Sequence, residues 1–133
     1  VDVQPAADAC DVLDVVGIVG ILATIAYSSY RDSVVKSKRK AAATCAVEMA
    51  QFMERYYTTN MTYVGAALPN SGCRTELAPD YAFAVAGLSA TAYSISATPL
   101  GGQLAADTLC GTLGINERGQ KTKSGGGALK DCW

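Results

Sequence analysis

A chain of 133 residues, half hydrophobic and 17% charged with a net charge of −1, suffices for one folded domain and has no bulk attraction for nucleic acid or an anionic membrane. Five cysteines without a single histidine exclude a Cys–His nucleophile, and no two cysteines have the CxxC spacing of zinc or haem motifs. With no phosphate-cradling glycine motif and only scattered acids, nothing supports an enzyme, a cofactor, a metal site or a small-molecule substrate.

The chain opens without Met, as a processed product or a fragment does. Val1–Cys10 lacks the basic residue of a signal peptide. From Val12 to Ala26 the sequence reads VLDVVGIVGILATIA, and a helical pattern runs on without a proline to Tyr57. Its 46 residues would span roughly 70 Å, beyond the core of a compact domain of this size. The apolar front must be buried outside the domain, in a membrane, against other copies of the chain, or both. The alternative is an ordinary core helix. As a membrane span the run is short: Val15–Tyr27 is uninterrupted, Asp14 breaks it, and a span needs about 20 residues. Gly17 and Gly20 weaken the helix but permit close helix–helix approach.

Directly after this run lie Arg31, Lys36, Lys38, Arg39 and Lys40. They read either as a solvated helix face or as a site for phosphates or lipid headgroups. Farther on, Ala42, Cys45, Met49, Phe52 and Tyr56 recur at helical spacing, widened by Ala46 and Met53. Thr44, Glu48, Gln51, Glu54 and Arg55 lie on the other side, so this half lays one face on a core. Thr58-Thr59-Asn60 ends the helix, and Asn60-Met-Thr62 matches a glycosylation sequon.

Met61–Asp80, with Gly65, Pro69, Gly72 and Pro79, reads as a long loop with room for a short helical turn; Cys73 within it could pin it to Cys45. Strand signals follow at Tyr81–Val85, Tyr93–Ala97, Thr112–Asn116 and Gln120–Ser124, with a turn at Asn116–Gly119. Lys121, Lys123 and Lys130 flank three consecutive glycines; they read as a solvated face or as a grip on a DNA backbone. A disulfide between Cys110 and Cys132 would close a loop with 21 residues between them, worth roughly 3 kcal/mol. An odd cysteine remains, and Cys10 is the candidate. The sum is an α+β fold: a long N-terminal α-helix packed on a roughly four-stranded antiparallel sheet. Residues 1–30 form the N-terminal segment and apolar stem, and residues 31–133 the head.

Three strings carry a resemblance. Gly20-Ile-Leu-Ala-Thr-Ile-Ala-Tyr-Ser-Ser-Tyr30 resembles the stem signature of type IV pilins. Gln51-Phe-Met-Glu-Arg-Tyr-Tyr57 followed by Asn60-x-Thr-Tyr63 is similar to the helix end of minor pilins of the E type. Cys110-Gly-Thr-Leu and Asp131-Cys-Trp133 resemble the C-terminal disulfide region of that group. The sequence departs from the pattern at four places. Asp11 stands at the position of a family Glu, Ala7 at that of a methylated Phe, Asp14 where the family is apolar, and Ser28 where it has a kinking Pro.

The resemblance implies a type IV pilin fold and a structural subunit of a pilus filament, one supporting assembly, twitching motility, adhesion or DNA uptake. It implies an assembly stem through Gly20, Ile21, Leu22 and Ile25, with Asp11 either the assembly carboxylate or a solvated residue. It implies disulfides Cys110–Cys132 and Cys45–Cys73. The partners would be other pilin subunits, the inner membrane before assembly, and DNA or a host surface; the location would be the extracellular pilus. Two alternatives remain. One is a DNA- or surface-binding module acting through the C-terminal loop, with Lys121, Lys123 and Lys130 in contact. The other is a pseudopilin of a type II secretion system, a group that more often holds its C-terminal region with calcium than with a disulfide.

Overall fold

A computed structural model describes residues 5–133, with side chains from Val12 onward. Helix α1 runs Pro5–Asn60, 56 residues, beginning on a proline whose missing N–H costs a first helical position nothing. At its far end Thr58 and Thr59 donate their hydroxyls to the carbonyls of Glu54 and Arg55, and Asn60 Nδ2 donates to Tyr56 O at 3.0 Å. Met61, at φ 59°, then turns the chain away.

The chain divides into two units, Val1–Val34 and Val35–Trp133. In the first, every described side chain up to Ser33 is exposed, and Ile21, Leu22 and Ile25 are 59–65% so. An 18-residue window of α1 has a mean hydropathy of 1.9 and is 0% buried, so by length and composition this helix suffices to cross a membrane. That length is reached only by taking in Asp14, because the uninterrupted apolar run remains Val15–Tyr27.

The second unit is a helix-on-sheet layer. Strands β1 (Tyr81–Ala86), β2 (Ser94–Pro99), β3 (Leu113–Asn116) and β4 (Lys121–Lys123) form one antiparallel sheet in the order β1-β2-β3-β4. Register places Val85 opposite Ile95 and Phe83 opposite Ala97, then Ile95 opposite Ile115 and Ala97 opposite Leu113. Their alternation turns Tyr81, Phe83, Ile95, Ala97, Leu113 and Ile115 into one core with Ala42, Cys45, Ala46, Met49 and Met53 of α1. Alanines at four of the helical positions (Ala42, Ala43, Ala46, Ala50) let the helix lie close to the sheet.

Three local expectations are revised. The buried stripe of α1 centres on Met53; Phe52 and Tyr56 are half-buried at its edge. The second strand starts at Ser94, and Tyr93 precedes it, turning its hydroxyl toward Glu54. The short helical turn for which Met61–Asp80 had room is α2 (Gly72–Leu77). Two short helices went unforeseen: α3 (Gly101–Ala106), entered through Gly101 at φ +52°, and α4 (Leu129–Cys132).

Candidate functional site

The C-terminal corner of the head is assembled by local bonds. In the β3–β4 hairpin, Asn116 Oδ1 accepts from the backbone N–H groups of Arg118 and Gln120, each at 3.0 Å, while Gly119 takes φ +72°. Beyond β4 the glycine run folds back: Gly125 N donates to Cys110 O at 2.9 Å and Gly127 N to Leu109 O at 2.7 Å. A side chain at Gly125 would run into the backbone of Thr108 and Leu109, so only glycine permits this return. Cys132 of α4 is disulfide-bonded to Cys110, with Cα atoms 5.6 Å apart, and Cys45 of α1 to Cys73 of α2 at 5.8 Å. The side chains of Cys10 and Asp11 lie outside the described residues.

The three candidate lysines at this corner are not equivalent. Lys121 holds its ammonium 5.3 Å from the centroid of the Trp133 ring, a cation–π arrangement. Trp133 is fixed by its indole N–H, which donates to Thr122 O at 3.0 Å. Lys123 is half-buried and donates to Gly125 O at 2.7 Å, so it closes the glycine turn. Lys130 is exposed, with no ion-pair or hydrogen-bond partner among the described residues. Lys121 and Lys130 are therefore the two groups here placed to meet an anion.

Under the corner lies a buried ion pair that sequence reading missed. Asp107 is fully enclosed and accepts from Arg39 twice, Nε to Oδ2 at 2.9 Å and Nη2 to Oδ1 at 3.0 Å. The same carboxylate accepts from Cys110 N and from the Tyr81 hydroxyl. Gln103 Nε2 donates to the Tyr81 oxygen at 3.0 Å and to Val35 O at 3.1 Å, and Arg39 Nη1 reaches Asp131 O at 3.4 Å. One network thus joins α1, α3, β1 and α4. Burial, opposed by the Gln103 bond and reinforced by the Asp107 charge, pushes the Tyr81 hydroxyl from 10.0 up to about 12.

This network splits the basic run after the stem, which reads in sequence as a solvated face or as a site for phosphates or lipid headgroups. Arg39 is buried in the network, and Lys38 pairs with Asp80 at 3.0 Å; Lys36 and Lys40 stay exposed. At the other end of the head Tyr63 packs against Tyr57 at a tilt and against Tyr93 edge to face, each with ring centroids 4.8 Å apart, and Tyr63 and Tyr93 both donate to Glu54. Burial, then the Glu54 bond and charge, lifts the Tyr63 hydroxyl to about 12. The stem residues Gly20, Ile21, Leu22 and Ile25 are exposed on α1, and nothing lies within 4 Å of a Cβ built at Gly20.

Residues 28–114 match the family described as "Type IV minor pilin ComP, DNA uptake sequence receptor". The chain belongs to this type IV minor pilin family. The fold agrees with solved pilins. A type IV pilin from Shewanella oneidensis is 28% identical, with a TM-score of 0.55, and the similarity covers 74% of this chain and 97% of that one. The non-core minor pilin PilV of Neisseria meningitidis has a TM-score of 0.56 at 18% identity, over 72% of this chain and 92% of that one. No curated protein sequence matches the chain. The family match of this minor pilin takes in Lys36, Lys40 and the buried ion pair but stops before Lys121, Lys123 and Lys130. The case for those three lysines rests on their geometry alone.

Proposed function

We propose that this minor pilin enters a type IV pilus through its apolar stem and binds DNA through the C-terminal corner of its head. One observation carries the reading: a corner stiffened by a disulfide and a glycine turn presents Lys121 beside an indole together with the exposed Lys130, in a chain whose family is described as a DNA uptake sequence receptor. The chemistry is charge neutralisation of phosphates, which releases counterions and is sequence-independent. The net charge of −1 means that this local patch, not the whole molecule, supplies the attraction.

The exposed stem residues Gly20, Ile21, Leu22 and Ile25 pack against other pilin subunits, with Asp11 as the assembly carboxylate. Before assembly the stem sits in the inner membrane; afterwards the head is displayed on the extracellular filament. The subunit packs and binds and performs no catalysis. Cys45–Cys73 and Cys110–Cys132 hold the head in an oxidising compartment.

The test is duplex-DNA binding by the full chain in detergent, followed by fluorescence anisotropy as salt rises from about 50 to 200 mM. The affinity should fall steeply with salt. Replacing Lys121 and Lys130 together by Gln should flatten the log–log slope by about 0.9 per lysine. No binding at low salt refutes the DNA reading.

A further inference from the structure

We propose that a recess between α1 and α4, walled by Lys36, Lys40 and Lys130, seats a backbone phosphate of the bound DNA and extends the interface from the C-terminal corner onto the long helix. This inference rests on the DNA reading above and names where on the head a phosphate is gripped.

The recess has a volume of about 300 Å³. Its basic lining comes from two elements far apart in sequence. Lys36 and Lys40 are one helical turn apart on α1, so both ammonium groups rise on the same face. Lys130 comes from α4. Arg39 also lines the recess, but its charge is spent on Asp107. Asp131 is also a lining residue, and its single negative charge against three lysines leaves the lining with net positive charge.

Like charges at i, i+4 repel and destabilise a helix, and a third ammonium lining the same recess adds to that repulsion. Among the described residues none of the three lysines has an ion pair or a hydrogen bond to relieve it, whereas the intervening Lys38 and Arg39 are both paired. A bound anion relieves the repulsion. The walls are also held in place: the Cys110–Cys132 disulfide anchors α4, and the bond from Arg39 Nη1 to Asp131 O ties α4 to α1. The site is therefore preorganised for a ligand.

A DNA backbone fits better than an isolated anion because the recess continues into the corner. Trp133 lines it on one side and carries Lys121 over its ring. Lys121, Trp133, Lys130 and the α1 pair thus form one connected basic track. Leu109 supplies apolar wall, which suits the sugar between successive phosphates.

The test uses the full chain in detergent, a short labelled duplex of arbitrary sequence, and three variants: Lys36→Gln with Lys40→Gln, Lys121→Gln, and Asp131→Asn. The α1 double variant should flatten the salt slope by nearly two, with affinity falling about fivefold per lysine near 0.15 M salt and equally on any sequence. Asp131→Asn should raise affinity. Circular dichroism should show the α1 double variant folded, since the side chains of Lys36 and Lys40 have no ion pair or hydrogen bond among the described residues. If Lys121→Gln weakens binding while the α1 double variant binds as wild type, the recess proposal fails and the DNA reading stands. If the wild type binds no DNA, the DNA reading itself fails. A double variant that loses only its binding to phosphatidylglycerol vesicles, with DNA binding intact, overturns the proposal in favour of a lipid headgroup.

Discussion

The buried Arg39–Asp107 pair offers the sharpest prediction about stability. The two side chains are 7% and 0% exposed, so neither charge is answered by water. Asp107→Ala removes both acceptors of the Arg39 fork and leaves a guanidinium enclosed with only its 3.4 Å bond to Asp131 O. It also strips Cys110 N and the Tyr81 hydroxyl of an acceptor. Removing one partner of a buried pair costs about 3–5 kcal/mol, because an uncompensated charge stays behind. With a urea slope of about 1–3 kcal/mol/M, the unfolding midpoint should drop by roughly 2 M. Trp133, the single tryptophan, reports the transition through its fluorescence in the full chain in detergent. Replacing both residues, Arg39→Leu with Asp107→Leu, removes the charges together and should cost less than Asp107→Ala alone. A cost for Asp107→Ala below about 1 kcal/mol, or a double variant that loses at least as much as Asp107→Ala, refutes the reasoning.

Further outcomes follow from the same contacts. The Tyr81 and Tyr63 hydroxyls titrate near 12, above the ordinary 10.0, so the fold favours their neutral forms. The stability this contributes is complete below pH 10 and drains away as pH rises toward 12, which alkaline denaturation should show and Tyr81→Phe should blunt. Cys110→Ser with Cys132→Ser should cost roughly 3 kcal/mol and loosen the lysine-bearing corner, seen as faster hydrogen exchange at Gly125 and Gly127. Gly125→Ala should destabilise the head by about 1–3 kcal/mol, because its Cβ meets backbone and not a movable side chain; an unchanged melting curve would contradict this packing. Deleting residues 1–30 should leave a soluble, folded monomer, read by size exclusion, and a head that still polymerises would refute the role of the stem.

Much of the fold was legible because its signals are periodic. A run without proline announced α1, a helical stripe named Cys45, Met49 and Met53, and alternation located the strands within a residue or two. What escaped reading was set by tertiary contact. Nothing near Gly101 announced a helix, and only its left-handed backbone, with Gln103 reaching the Tyr81 hydroxyl, explains the one there. Asp107 carries no local mark of burial, since its partner Arg39 lies 68 residues away within a run of basic residues. The same limit hid the difference between Lys36 and Lys40, left free on the surface, and their neighbours Lys38 and Arg39, consumed by ion pairs. The lysines of the C-terminal corner were visible as charges, yet nothing in their spacing distinguished Lys123, tied to Gly125, from Lys121 and Lys130.

The most direct test of the account joins its two halves, assembly and DNA binding. Filaments sheared from cells producing the chain would be collected, probed for it by mass spectrometry, and assayed for retention of labelled duplex DNA. The account predicts that the chain is present in the filaments, that they retain DNA in a salt-sensitive way, and that Lys121→Gln with Lys130→Gln abolishes most of that retention without removing the chain. Filaments that lack the chain, or that retain DNA equally well when both lysines are replaced, would contradict it.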